Sequence, residues 1–190
     1  YQTDLFEAGI TSVHSDDFKY FPDGGAYTMM ERIREASDRG IFKLRLAEQA
    51  LMYDLKEMET FFDEYGWDNS FGNRKFKINT IKILSDGSLG ARTAYMRQPY
   101  ADDPTTKGLA LFSQEDLDAM VWKAHENNMA AAIHAIGDGM LDMLLTAYKN
   151  AGGAIDLPSA LVEMQRRSKQ VPGGACGYWG ACGAGISTGM

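Results

Sequence analysis

A few polar side chains stand where a chain of this texture should be apolar. Lys82 sits inside the apolar run that opens "IKILSDGSLGARTAYMRQPY", residues 81–100, and the run then breaks into a glycine-rich stretch carrying Asp86, Ser88 and Arg92. His134 lies in "MAAAIHAIGD" with Asp138 just beyond it, and His14 lies in "AGITSVHSDD". Side chains alternate along a strand. Thr80, Lys82, Leu84 and Asp86 therefore share one parity, opposite Ile81 and Ile83. His134 shares a parity with Ala132 and Ile136, and His14 with Ser12 and Ile10. Desolvation near imidazoles lowers the pKa of a lysine. A neutral amine combines with carbon dioxide to a carbamate, a two-oxygen anion able to bridge divalent metals. Imidazole suits zinc, and such metals polarise a carbonyl and acidify a bound water. Simpler readings stand beside this one: a Lys82–Asp86 ion pair at a strand end, and hydrogen-bonded structural roles for His134 and His14. His125 reads as a helix-flank residue, and "GSLG" lacks the spacing of a phosphate loop.

The elements that must position these residues alternate. "AGITSVHSDD", "IFKLRLAEQ", "FKINTIKILSD" and "MAAAIHAIGD" read as strands. Between them come helices: "AYTMMERIREASDRG" with Met29, Met30, Ile33 and Ala36 on one face, and "DLKEMETFFDEYG" with Asp54 as cap and Glu57 three residues on. A third opens at Ser113 and Asp116 with the face Leu117, Met120, Val121 and Ala124, and "GMLDMLLTAYKNAG" is the fourth. Alternation of this kind predicts an α/β fold with a parallel sheet, either a (β/α) barrel or a doubly wound sheet. Four units in about 150 residues make an incomplete (β/α)8 TIM barrel, since eight need about 250. In such a barrel Lys82, His134 and His14 point inward, toward the mouth.

Composition narrows the partners. The 190 residues are 45% hydrophobic and 24% charged with a net charge of -7, and no segment concentrates Lys and Arg. That excludes nucleic acid and anionic membrane as main partners, and no run approaches the roughly 18 apolar residues of a membrane span. The start, "YQTDLFEAGI", is polar, and only two cysteines occur. A reducing, cytoplasmic setting is expected.

Two segments together carry a family resemblance. "KILSDGSLGARTAYMRQPYADDP" followed by "GLALFSQEDLDAMVWKAHENNMAAAIHAIGD" closely resembles amidohydrolase family 3, and "AGITSVHSDD" and "LRLAEQ" look like that family's second and third barrel strands. The resemblance covers residues 1–152. It implies a metal-dependent hydrolase of C–N bonds other than peptide bonds, acting on a small amide-type substrate through metal-activated water. It makes Lys82 the carboxylated strand-four lysine and His134 the strand-five ligand. The divalent metal is zinc, with Fe, Mn or Co as alternatives, and the carbamate draws on carbon dioxide. Asp86, Ser88 and Arg92 fall in the loop over the site. With His14 and Asp138 they form the expected substrate side, Arg92 or His14 holding the substrate or its oxyanion.

The family's His-x-His pair, sixth-strand histidine and eighth-strand aspartate have no counterpart here. Two ligands fall short of the three a catalytic zinc needs, so the chain is expected to be inactive alone. Residues 153–190 change texture: a short helix, then "VPGGACGYWGACGAGISTGM", with nine of the 20 glycines between Gly152 and Gly189. This tail is similar to a Cys/Gly-rich motif of an uncharacterised prokaryotic family and is expected to have a different origin. Cys176 and Cys182 could form a metal or redox module. The other non-catalytic reading is a barrel fragment in a fusion or in a homo-oligomer, paired through exposed strand edges.

Overall fold

The computed structural model describes residues 1–21, 25–154 and 156–168. Their elements run α1 (Gln2–Glu7), β1 (Ser12–Ser15), a 3-10 turn (Phe18–Tyr20), α2 (Gly25–Asp38), β2 (Arg45–Leu51), α3 (Leu55–Glu59) continued by a π-helical turn (Thr60–Glu64), β3 (Phe76–Leu84), α4 (Gln114–Glu126), β4 (Ala130–His134), α5 (Asp138–Asn150) and α6 (Leu157–Ser168). Strands alternate with helices as the hydrophobic periods require. α1 is the element the sequence reading passed over. The Cys/Gly-rich tail, with Cys176 and Cys182, lies outside the described residues.

The sheet order is β1-β2-β3-β4, the order of the chain. β1 pairs with β2, and β2 with β3, in parallel. A doubly wound sheet reverses its strand order at a switch point. No reversal occurs among these strands, so the sheet follows the barrel alternative.

Two compact units divide the chain. The first comprises Tyr1–Ile83 and Lys123–Ile133; the second comprises Leu84–Trp122 and the described residues from His134 onward. The first unit buries Phe76, Ile78, Ile81 and Ile83 of β3 completely, together with Met52, Met58 and Phe61. Aromatic rings extend this core: Phe61 meets Phe18 and Trp67 edge-on, and Tyr27 stacks on Tyr65 with centroids 3.6 Å apart. In α2 the buried positions are Ala26, Met30 and Ser37, with Ile33 half-buried. The buried stripe therefore runs through i, i+4, i+7 and i+11: Met30 and Ile33 belong to the face read from the sequence, while its Met29 and Ala36 lie at the edge, half-buried. α3 starts where Asp54 accepts a hydrogen bond from the Glu57 amide at 2.8 Å, and Glu57 in turn accepts from the Tyr53 amide. That reciprocal cap satisfies two amides that a helix start leaves free.

The second unit buries Leu117, Met120 and Val121 of α4, and Met140, Leu144, Leu145 and Ala147 of α5. Ser113 Oγ accepts from the Asp116 amide at 3.1 Å and donates to its carboxylate at 2.8 Å, which fixes the start of α4 as the sequence predicts.

Candidate functional site

The second unit is organised around one carboxylate. Asp86 lies two residues past the end of β3. Its side chain is fully buried, where Lys82, of the same parity in the sequence, is half-buried. Its Oδ2 accepts from the amides of Tyr95 at 2.9 Å and Gly137 at 2.8 Å. Its Oδ1 accepts from the Ile136 amide at 3.0 Å and stands 3.6 Å from His134 Nε2. One side chain thus ties the strand end, the loop at residue 95 and the start of α5.

Close backbone approach completes the knot. A Cβ at Gly137 would lie 1.8 Å from the Tyr95 carbonyl oxygen, and one at Gly108, where φ is +84°, would lie 1.9 Å from that of Ala94. Only glycine fits both places. Thr93 O accepts from Gly87 and Leu109, and Leu111 N donates to Ser85 O at 2.9 Å. The long 87–112 connection is therefore laced by its own hydrogen bonds, which a functional loop of that length needs. Arg97 donates both guanidinium arms to Asp142, and its amide donates to Asp138 at 2.9 Å.

His134, the last residue of β4, is held within this frame. Its carbonyl accepts from Ser85, through both the amide and the hydroxyl. Its Nε2 lies 3.0 Å from the Gly87 carbonyl oxygen. That oxygen can only accept, so Nε2 carries the hydrogen. In the neutral ring Nδ1 is then the nitrogen with the free lone pair. Metal-ligating histidines are commonly oriented this way, by donation of the other ring N–H to a carbonyl. His134 therefore fits a metal ligand in tautomer and in partial exposure.

Lys82 belongs to the first unit. Its side chain is half-buried on β3, between the fully buried Ile81 and Ile83. Among the described residues its ammonium has no ion pair or hydrogen bond. The simpler reading, an ion pair between Lys82 and Asp86, is not formed among the described residues. His14 is exposed on β1, in register with Ala47 of β2. Among the described residues no three His, Cys, Asp or Glu side chains converge on a metal-sized position.

The remaining candidates sit as follows. Ser88 is exposed; its hydroxyl accepts from the Ala91 amide at 3.3 Å. Arg92 adopts a left-handed conformation, φ 54°, and is exposed in a pair with Asp102 at 2.9 Å. The guanidinium hydrogen bond holds the Asp102 carboxyl below its usual range. Asp138 opens α5 and receives the Arg97 amide. Two features escaped the sequence reading. The role of Asp86 as a hub has no local signature. Glu48 had one that went unused: a lone carboxylate in "LRLAEQAL", as conspicuous there as Lys82 in its own strand.

Comparison with known proteins places this architecture. The chain resembles a metal-dependent hydrolase of Pyrococcus furiosus with a TM-score of 0.65 at 23% identity, over 90% of this chain and 35% of that one. It resembles one of Pyrococcus horikoshii OT3 with a TM-score of 0.63 at 29% identity, over 80% and 29% respectively. The Bacillus subtilis (strain 168) protein named "Putative amidohydrolase YtcJ" is 31% identical over 149 residues, which is 77% of this chain and 26% of that protein. Protein LONG AFTER FAR-RED 3 of Arabidopsis thaliana is 35% identical over 77 residues, 40% of this chain and 13% of that protein. This chain thus spans about a quarter of YtcJ's length. The model of the amidohydrolase family matches residues 3–165, across the strands, the Asp86 knot and His134, and the chain belongs to the amidohydrolase family.

Proposed function

We propose that this chain is a segment of a metal-dependent hydrolase that cleaves C–N bonds other than peptide bonds in small amide-type substrates. The observation that carries the reading is the His134–Gly87 hydrogen bond, which leaves Nδ1 of His134 with a free lone pair. His134 and Lys82, the latter as its carbamate, are the residues of this chain that would hold a divalent metal, zinc by the chemistry of the donor set and Fe, Mn or Co as alternatives. The metal, when bound, polarises a carbonyl and acidifies water. Gly87 fixes the His134 tautomer, and Asp86 holds the backbone around it. Arg92, Ser88, His14 and Asp138 remain candidates for the substrate side. Arg92 must first leave Asp102 to serve there.

Two ligands do not make a catalytic site, and this chain spans only 26% of YtcJ. The segment is accordingly proposed to be inactive alone, with the activity belonging to a longer protein. Among the described residues β1 and β4 have unpaired outer edges, which supports pairing with further strands, of the same protein or of a second copy. Among the described residues no helix is long and apolar enough to cross a membrane. Sparse cysteine supports a cytoplasmic setting.

The test is elemental analysis of the purified, dialysed chain by plasma mass spectrometry, followed by zinc titration of variants. The reading expects bound transition metal, with affinity reduced about 10- to 100-fold in His134→Ala and in Lys82→Ala. Unchanged zinc affinity in both variants would overturn it.

A further inference from the structure

Glu48 is the least explained group in the first unit. It is 1% exposed, and among the described residues neither carboxylate oxygen is placed in a hydrogen bond. Its register partner on β1 is Ser15, and the chain beyond Ser15 is Asp16–Asp17. Two further carboxylates therefore lead directly into the 3-10 turn Phe18–Tyr20, which Phe18 seats by complete burial. Three acidic groups thus gather, and among the described residues no ion pair gives Glu48 a cation. Lys19 is taken by Glu57 at 2.9 Å. Arg45 turns to the Thr11 hydroxyl, and Arg34 of α2 is paired with Glu31. His14 and Lys77 are both in register with Ala47, on the face opposite Glu48.

An ionised carboxylate buried in this way, with carboxylates rather than a counter-ion facing it, is costly. We propose that Glu48 is a proton-operated latch: as a neutral carboxyl it lets Asp16–Tyr20 seat on β2, and on ionising it drives that segment off. The segment leaves the C-terminal end of β1, the end at which barrels of this class place their chemistry. Mild acid therefore closes this loop beside His14, and alkali opens it. Burial, and after it Asp17, push the Glu48 carboxyl up to about 8 against the opposing Phe18 amide, with the Asp16 charge adding the smallest part.

The linkage has a definite sign. Below pH about 4.5 the folded and unfolded chains both hold the proton. From there to about pH 8 only the folded chain does, so stability falls across that window and levels off above it. The experiment is urea unfolding of the whole chain between pH 5 and 8.5, with amide exchange measured in parallel. The unfolding midpoint should fall steadily with pH in the parent chain, and Glu48→Gln should remove most of that slope. After correction for intrinsic rates, the Phe18–Tyr20 amides should exchange about tenfold or more faster at pH 8.5 than at pH 6. Asp17→Asn should move the Glu48 titration to lower pH. The 13C carboxyl signal of Glu48 in the unsubstituted protein decides the matter even if Glu48→Gln fails to fold. A titration near pH 4 to 5, or a pH slope unchanged in Glu48→Gln, would overturn the latch.

Discussion

Asp86→Ala is expected to cost about 4–6 kcal/mol of stability, on the order of half of what holds an ordinary domain folded. The residue receives three backbone amides at 2.8–3.0 Å and faces His134 at 3.6 Å, all with its side chain fully buried. Each hydrogen bond to an ionised group contributes about 1.5–3 kcal/mol, and each buried donor left without a partner costs about 1–3 kcal/mol. The second unit would therefore lose the tie between its strand end, its long loop and α5 in one step. Asp86→Asn keeps the shape but replaces one acceptor by an N–H2 that faces donors, so an intermediate loss is expected. Urea unfolding followed by far-ultraviolet circular dichroism measures both. A loss below about 1 kcal/mol in Asp86→Ala, the size of an ordinary surface change, would show that the knot is not held by this carboxylate.

Gly137→Ala should be comparably damaging for a different reason. The added Cβ meets the Tyr95 oxygen, carbon and nitrogen at 1.8, 2.3 and 2.6 Å. These are backbone atoms, and they cannot swing aside as the end of a side chain would. The start of α5 must move away from the loop, which breaks the Gly137–Asp86 and Met140–Tyr95 hydrogen bonds. A loss of about 3 kcal/mol or more is expected, at the upper end of the overpacking range. Gly90 provides the control, because nothing lies within 4 Å of its Cβ position. Gly90→Ala should fall within about 0.5 kcal/mol of the parent chain. Equal effects at the two positions would contradict the steric account.

These two residues also show where sequence reading succeeds and where it stops. The alternation of strands and helices was legible because burial imposes periods of 2 and 3.6 on the chain. Leu117, Met120, Val121 and Ala124 are buried as their spacing predicts, and Ile81 and Ile83 are buried on either side of Lys82. Strand order was not legible, since periodicity says nothing of which strands neighbour one another. The fate of Asp86 was hidden because its three amide partners lie 9 to 51 residues away along the chain. Parity on β3 could not be extended past Leu84, where the strand ends. The irregularity between Glu48 and Gln49 in the β2–β3 register could not be foreseen either. His134 could be assigned to a face from its neighbours, but its tautomer depends on Gly87, a residue 47 positions away. Arg92 illustrates the reverse case, since the sequence offers it to a substrate and the structure engages it with Asp102.

The central claim is that this frame presents His134 to a metal through Nδ1. Nitrogen-15 correlation spectroscopy of the His134 ring, recorded with and without one equivalent of zinc, tests it most directly. The account predicts a protonated Nε2 and an unprotonated Nδ1 in the neutral ring, with zinc shifting the Nδ1 resonance selectively. A ring protonated on Nδ1, or one whose Nδ1 resonance does not respond to zinc, would contradict it.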